Sequence, residues 1–168
     1  MSGHRFVKIE ESGDLTLVGR AQDPWTEDEI SDAFRRVRSL ASDPARGDKI
    51  TPMGVEEASV ALTAENLHTF HHLEREKTGA SEFVDENNRF WDVKSPFSPP
   101  PEKIGWYYSP HHQLEQVRDD LAKGDRVLLN LSRLRPEHRD QTLDLFREQL
   151  TQNERGQLLV LTDAPIQG

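Results

Sequence analysis

The sequence predicts an α/β fold: a mixed sheet built from an antiparallel hairpin and a parallel βαβ unit, flanked by helices. Three observations predict it. Two short, nearly unbroken apolar runs, Arg126–Leu131 (RVLLNL) and Gln157–Thr162 (QLLVLT), read as strands covered on both faces. Between them, Pro136 opens a stretch with Leu143, Phe146 and Leu150 at helical spacing, so the two strands enclose a helix and lie parallel. Upstream, SEFVDENNRFWDVK places two apolar-rich segments around a polar turn, the pattern of a hairpin over about 81–85 and 90–95.

The remaining elements follow in order. Residues 1–20 alternate loosely through Phe6, Val7, Ile9, Leu15, Leu17 and Val18 around ESGD, a small hairpin. Thr26-Glu27-Asp28-Glu29 is a capping-box pattern, and Ile30, Ala33, Phe34, Val37 and Leu40 extend it as a helix over 27–42 with one apolar stripe. DPARGDK (43–49) is a polar linker. It divides an N-terminal extension with one helix, 1–48, from an α/β domain, 49–168. Thr51-Pro52 supplies a capping hydroxyl and a proline for the first helical position, with Val55, Leu62 and Leu67 expected on the buried side. After the hairpin, SPFSPPPEK is a proline-rich loop. Ser109-Pro110 then caps a helix with Leu114, Val117 and Leu121 inward, stopped by Lys123-Gly124.

Composition narrows the function classes. No run approaches the roughly 18 apolar residues of a membrane span, and the first residues lack the apolar core of a signal peptide. The absence of cysteine excludes disulfides and thiolate metal sites. Net charge is −9, and residues 51–100 are the most acidic third, with nine acids against four bases. A nucleic-acid binder ordinarily carries a basic footprint, so bound cations would have to offset these acids if the partner were a polyanion. Arg133, Arg135 and Arg139, with His138, form the one local basic exception and are candidate phosphate contacts.

The hairpin carries the sharpest chemical signal. Asp92 and Lys94 are two apart on one strand and share a face, while Trp91 and Val93 share the other. An exposed aspartate–lysine pair alone is worth about 0–1 kcal/mol and is common. Glu82 and Asp85 on the preceding strand, with Glu56 and Glu57 on the helix before it, add carboxylates that repel one another unless a hard cation joins them. Acids gathered beside a lysine suit metal-assisted phosphodiester hydrolysis. The turn decides which first-strand acid takes part. A three-residue loop, Glu86-Asn87-Asn88, pairs Glu82 with Asp92, whereas a two-residue loop sets Asp85 beside Phe90 on that face. The three-residue loop is preferred.

These residues resemble the PD-(D/E)xK nuclease superfamily, whose pattern is a helix glutamate, an acid early on a first strand and an acid-x-lysine on the next. Here the pattern is met by Glu57, Glu82 and Asp92-Val93-Lys94. TPMGVEEASVALTAE, SEFVDENNRFWDVKSP and LAKGDRVLLNLSRL further resemble toxin-type C-terminal domains of bacterial polymorphic toxin and contact-dependent inhibition systems, over roughly 51–135 and on to 162. The sequence departs from that pattern at Glu82, which follows Ser81 where the family has an aspartate after proline. It departs again at Asn88, in place of a turn glycine, and at Asn130, in place of an aspartate. The resemblance implies a restriction-endonuclease-like core and cleavage of DNA or RNA, tRNA included, dependent on Mg²⁺ or Mn²⁺. It implies that Glu82, Asp92 and the Val93 carbonyl bind the metal, that Glu57 holds a metal-bound water or second ion, and that Lys94 positions the attacking water. Gln113, Arg133 and Arg135 are candidate substrate contacts. An immunity protein as partner, and action in the bacterial cytoplasm after delivery from a secreted toxin, belong to the same expectation.

Two other readings stand beside it. A non-catalytic module of the same fold would bind a protein partner, in keeping with the acidic balance. A metal-independent ribonuclease would use His111 or His112, since histidine titrates near neutral pH. His68, His71 and His72 have the spacing of zinc ligands but lack a specified third ligand; Trp106, Tyr107 and Tyr108 divide between core and base-stacking roles.

Overall fold

The structure, a computed structural model, describes residues 4–20 and 27–166. Its strands are β1 (Arg5–Ile9), β2 (Leu15–Val18), β3 (Ser42–Asp43), β4 (Lys49–Ile50), β5 (Leu73–Arg75), β6 (Phe83–Asp85), β7 (Phe90–Lys94), β8 (Arg126–Asn130) and β9 (Leu158–Thr162). The helices are α1 (Glu27–Ala41), α2 (Pro52–Asn66), α3 (Pro110–Ala122), α4 (Pro136–Gln149) and α5 (Gln152–Arg155). Seven strands form one mixed sheet in the order β2-β1-β9-β8-β7-β6-β5; β3 and β4 make a separate two-residue ladder. β7, β8 and β9 are parallel neighbours, and the flanking pairs are antiparallel. The mixed α/β class expected from the sequence is the one observed.

The apolar runs become central strands because helices cover both faces. In β8, Leu128 packs with Trp91, Val93 and the α1–α2 side, while Val127 and Leu129 pack with Leu114, Val117, Leu143 and Phe146 of α3 and α4. All three β8 residues are fully buried. A fully buried leucine or valine contributes roughly 1.5–3 kcal/mol, so this strand anchors both layers.

Two strands drawn from the segment read as an extension are built into this sheet. β1 pairs antiparallel with β9 through Arg5↔Thr162 and Val7↔Val160, satisfying what would otherwise be an open edge. Phe6 and Val7 enter opposite core clusters. Beyond β2, Gly19 at φ +82° lies so close to α2 that a Cβ would sit 2.3 Å from the Leu67 carbonyl oxygen. Thr26, and the side chains of Glu29, Ile30 and Phe34, lie outside the described residues, whereas Val37 and Leu40 pack inward as their spacing requires.

The helix expected after Thr51 forms as α2, with the Thr51 hydroxyl accepting from the Gly54 N–H at 3.0 Å. Its buried side differs from expectation at one position: Val55 is 43% exposed. The inward face runs through Gly54, Ala58, Ala61 and Leu62, about one residue's rotation away from Val55. The small residues there let α2 approach α1 closely, since a Cβ at Gly54 would meet the Ala41 carbonyl at 2.8 Å. Among the described residues, no helix is long and apolar enough to cross a membrane.

Candidate functional site

The β6–β7 turn sets the register on which the site depends. Phe83 faces Trp91 and Val84 faces Phe90, and the Asp85 N–H donates to the Arg89 carbonyl at 3.0 Å. The loop is therefore Glu86-Asn87-Asn88, with Asn88 at φ +60°, a left-handed turn position that asparagine tolerates. Continuing this register puts Glu82 opposite Asp92, and the Glu82 N–H donates to Asp92 Oδ1 at 3.3 Å. Asp85 falls on the opposite face. Its carboxylate accepts from the Asn87 N–H (2.8 Å), the Arg89 N–H (3.0 Å) and Trp91 Nε1 (2.9 Å), so it closes the turn and holds the indole. Asp85→Ala strands the buried indole N–H and two turn amides. The expected result is a loss of about 2 kcal/mol in chemical denaturation with the cleft chemistry intact; an unchanged denaturation midpoint would show that the turn does not need this carboxylate.

On the Asp92 face, acids crowd together. Burial, then contact with the Asp92 and Glu57 carboxyls, pushes Glu82 up to about 11. Its Oε2 is buried without a hydrogen-bond partner. Burial and the neighbouring Asp92 also push Asp125 up to about 6, against a Ser81 hydroxyl that donates to it at 2.8 Å. Asp92 thus lies between Glu82 on one side and Asp125 on the other. Burial and two like-charged neighbours both disfavour the ionised form of Glu82.

Lys94, on the same face of β7, reaches across to α3. Its ammonium is 3.1 Å from Asp120 Oδ2, and Asp120 is 6% exposed. Sequence reasoning missed both Asp120 and Asp125. A signal for Asp120 was present: with Gln113 it falls on the stripe of Leu114, Val117 and Leu121, so α3 turns two polar residues inward.

An open cleft of about 530 Å³ takes in Glu82 and Lys94, while Asp92, Asp120 and Asp125 lie behind its lining. Glu56, Glu57, Glu82, Val93, Lys94, Ser95, Phe97, Gln113 and Arg133 all line it. The N-terminal half of α2 and the C-terminal end of β7 therefore meet there, at the end of the parallel strands where α/β sheets open clefts. Asn130 braces the floor. Its amide donates to Glu56 Oε1 (3.2 Å) and Ser95 Oγ (3.3 Å), and its carbonyl accepts from the Ser132 N–H (2.9 Å). An aspartate at this position could not donate to Glu56, so the amide fits the carboxylate beside it.

The other sequence candidates divide. Gln113 lines the cleft with a buried, unpartnered Nε2. Arg133 lines it too, lying over the Phe97 ring at 4.8 Å and donating to the Ser95 carbonyl at 3.2 Å. Arg135 is outside the cleft lining, tied to the Pro99 carbonyl and Glu137, each at 2.9 Å. Arg139 pairs with Asp140 and Asp163. His111 and His112 are exposed in the first turn of α3 and do not line the cleft. His72 sits against Glu65 and Glu74.

Among the described residues, no three His, Asp or Glu side chains are grouped as a ready metal-ion shell. The Asp92 and Glu57 carboxyls lie near enough to Glu82 to raise its pKa, after burial, the largest cause. No protein-family model, curated protein or solved structure matches the chain.

Proposed function

We propose that the chain is a divalent-cation-dependent phosphodiester hydrolase, with the cleft between α2 and β7 as its active site. One observation carries this reading: the register of β6 against β7 sets Glu82 opposite Asp92, with Lys94 on the Asp92 face, and α2 brings Glu57 to the cleft that Glu82 and Lys94 line. The unpartnered Glu82 Oε2 and the mutual crowding of three acids fit a hard cation such as Mg²⁺ or Mn²⁺. Glu82, Asp92 and the Val93 carbonyl would hold it, and Glu57 would hold a water bound to it. When bound, such an ion polarises a phosphate oxygen and acidifies a coordinated water.

The chain's own residues supply the rest. Asp120 holds the Lys94 ammonium at the cleft, where it orients the attacking water and offsets the negative charge that grows on the phosphorane oxygens. Gln113 Nε2 is a spare donor for a non-bridging phosphate oxygen. In the balanced reaction the water oxygen bonds to phosphorus, the phosphorus–oxygen bond to the departing nucleoside breaks, and the water's proton ends on that leaving oxygen.

The test is incubation with plasmid DNA, single-stranded DNA and total tRNA, in Mg²⁺ and in EDTA. Cleavage of at least one substrate in Mg²⁺ and none in EDTA is the expected result. No cleavage of any substrate in either buffer removes the hydrolase reading. It would leave a non-catalytic interaction module, which the net charge of −9 and the absence of a ready metal shell among the described residues favour. Cleavage of RNA that persists in EDTA would point to His111 or His112 instead.

A further inference from the structure

The loop between β7 and α3 exposes an unusual amount of apolar surface. Ile104 is 98% exposed, Tyr107 82%, Trp106 47% and Phe97 43%. Such a patch costs solubility and usually marks a binding surface. It is also held in place. The Phe97 and Trp106 rings meet edge to face at 5.4 Å, and Arg133 lies over Phe97. The Ser98 hydroxyl bonds His138 Nδ1 at 2.7 Å and accepts from the Arg135 N–H at 2.8 Å. Tyr108, half-buried, anchors the far end through its hydroxyl to Thr142 Oγ1 at 2.7 Å. The prolines at 99–101 stiffen the span between these ties. The Phe97 and Trp106 faces are thus fixed before anything binds, which lowers the entropy cost of using them.

Two features select the occupant. Phe97 belongs both to this surface and to the lining of the carboxylate cleft, so the two are continuous. The groove beside Trp106 and Tyr107 is lined by Lys103, Arg135 and His138 and by no acid, within a chain of net charge −9. Flat aromatic faces beside Lys103 and Arg135, the latter paired with Glu137 at 2.9 Å, suit a polyanion that can present unstacked bases. A duplex keeps its base faces covered and offers the aromatics nothing to stack on.

We propose that Phe97, Trp106 and Tyr107 form a stacking platform for an unpaired nucleic-acid strand, making single-stranded nucleic acid the substrate class of the adjoining cleft. The proposal rests on the hydrolase reading for its second half only. The strand's phosphates run past Lys103 and Arg133 into the cleft, and the bases next to the reacting phosphate lie on the aromatic rings.

Fluorescence anisotropy with labelled 12-nucleotide single-stranded DNA, single-stranded RNA and a duplex of the same sequence tests it, in Ca²⁺ and in EDTA. A single strand is expected to bind at least about tenfold more tightly than the duplex, and the Trp106→Ala/Tyr107→Ala double variant to lose roughly tenfold or more of that binding. Tyr107 is largely exposed, and Trp106 is half exposed with its ring against Phe97, itself 43% exposed, so the thermal melt of the variant should fall within a few degrees of the parent. Equal binding of single strand and duplex, binding unchanged in the double variant, or no oligonucleotide binding at all overturns the platform; the last outcome returns the surface to a protein partner. If the platform binds single strands but no cleavage occurs in Mg²⁺, the hydrolase reading falls and the platform stands.

Discussion

Glu82→Gln is expected to make the protein more stable and to cut the metal-dependent cleavage proposed for it. The folded chain holds a proton on Glu82 up to about pH 11, whereas an unfolded chain releases it near the ordinary glutamate value of 4.5. Between those values the folded state binds more protons than the unfolded one, so stability falls as pH rises above about 4.5. At pH 7 the wild-type chain is therefore paying for a buried carboxyl that glutamine would not need to protonate. Allowing for the part of Glu82 that remains exposed, the gain on substitution is about 1–2 kcal/mol, or roughly 3–6 °C in Tm for a chain of this size. The gain should shrink to nothing below pH 4, where the carboxyl is protonated in both states. Cleavage should fall by at least about 10²-fold, because an amide cannot replace a carboxylate as a ligand for a hard cation. Thermal melts between pH 4 and 9, alongside a cleavage assay, read both effects. A variant that is no more stable at pH 8 than the parent would show that Glu82 is not held protonated among its neighbours. One equally active would remove Glu82 from the cation site.

Lys94→Met carries the other large effect, and it works in the opposite direction on stability. Asp120 is almost wholly buried and its Oδ2 has no hydrogen-bond partner beyond the Lys94 ammonium at 3.1 Å. Removing the lysine leaves that carboxylate in the interior facing a methionine, and the closest remaining cation, Lys123, is 4.0 Å away on the other oxygen and exposed. Breaking a fully buried pair costs about 3–5 kcal/mol; with Lys94 about one-third exposed, a loss of about 2–3 kcal/mol is expected in urea denaturation. Lys94→Met/Asp120→Leu should recover most of it, because the unpaired charge goes with its partner. Both variants should lose cleavage by about 10²-fold or more, since neither carries the ammonium. Recovery of stability without recovery of activity separates the lysine's two roles. If the double variant were as unstable as the single one, the pair would not be what anchors α3 to β7.

How much of this was legible in the chain depended on the range of the interaction involved. The helices after Thr51 and Ser109 are written locally: a hydroxyl cap, a proline in the first turn and an apolar stripe suffice, and α2 and α3 begin where those residues fall. RVLLNL and QLLVLT are as plain, because a strand covered on both faces needs a continuous apolar run. β5 was not visible: Leu73–Arg75 is three residues long with one apolar side chain, and only pairing with β6 makes it a strand. The role of residues 5–18 was equally hidden. Their alternation suggested a hairpin, but nothing local says that β1 completes the edge of β9, more than 150 residues later.

The site divides along the same line. Asp92 and Lys94 could be set on one strand face from the sequence, because the two-residue period of a strand is a backbone property. The choice of Glu82 over Asp85 needed the length of the turn, and sequence could only prefer one of two loops. The mixed α/β class, the central strands, the starts of α2 and α3 and the Asp92–Lys94 face are written in the chain, since each follows from neighbours within a few residues. The nearness of Glu57 and Asp92 to Glu82, the hold of Asp120 on Lys94 and the meeting of the aromatic loop with the cleft come from the folded arrangement. Those contacts join residues 10 to 40 positions apart, and the chain's path through the sheet, not its local propensity, sets their distance.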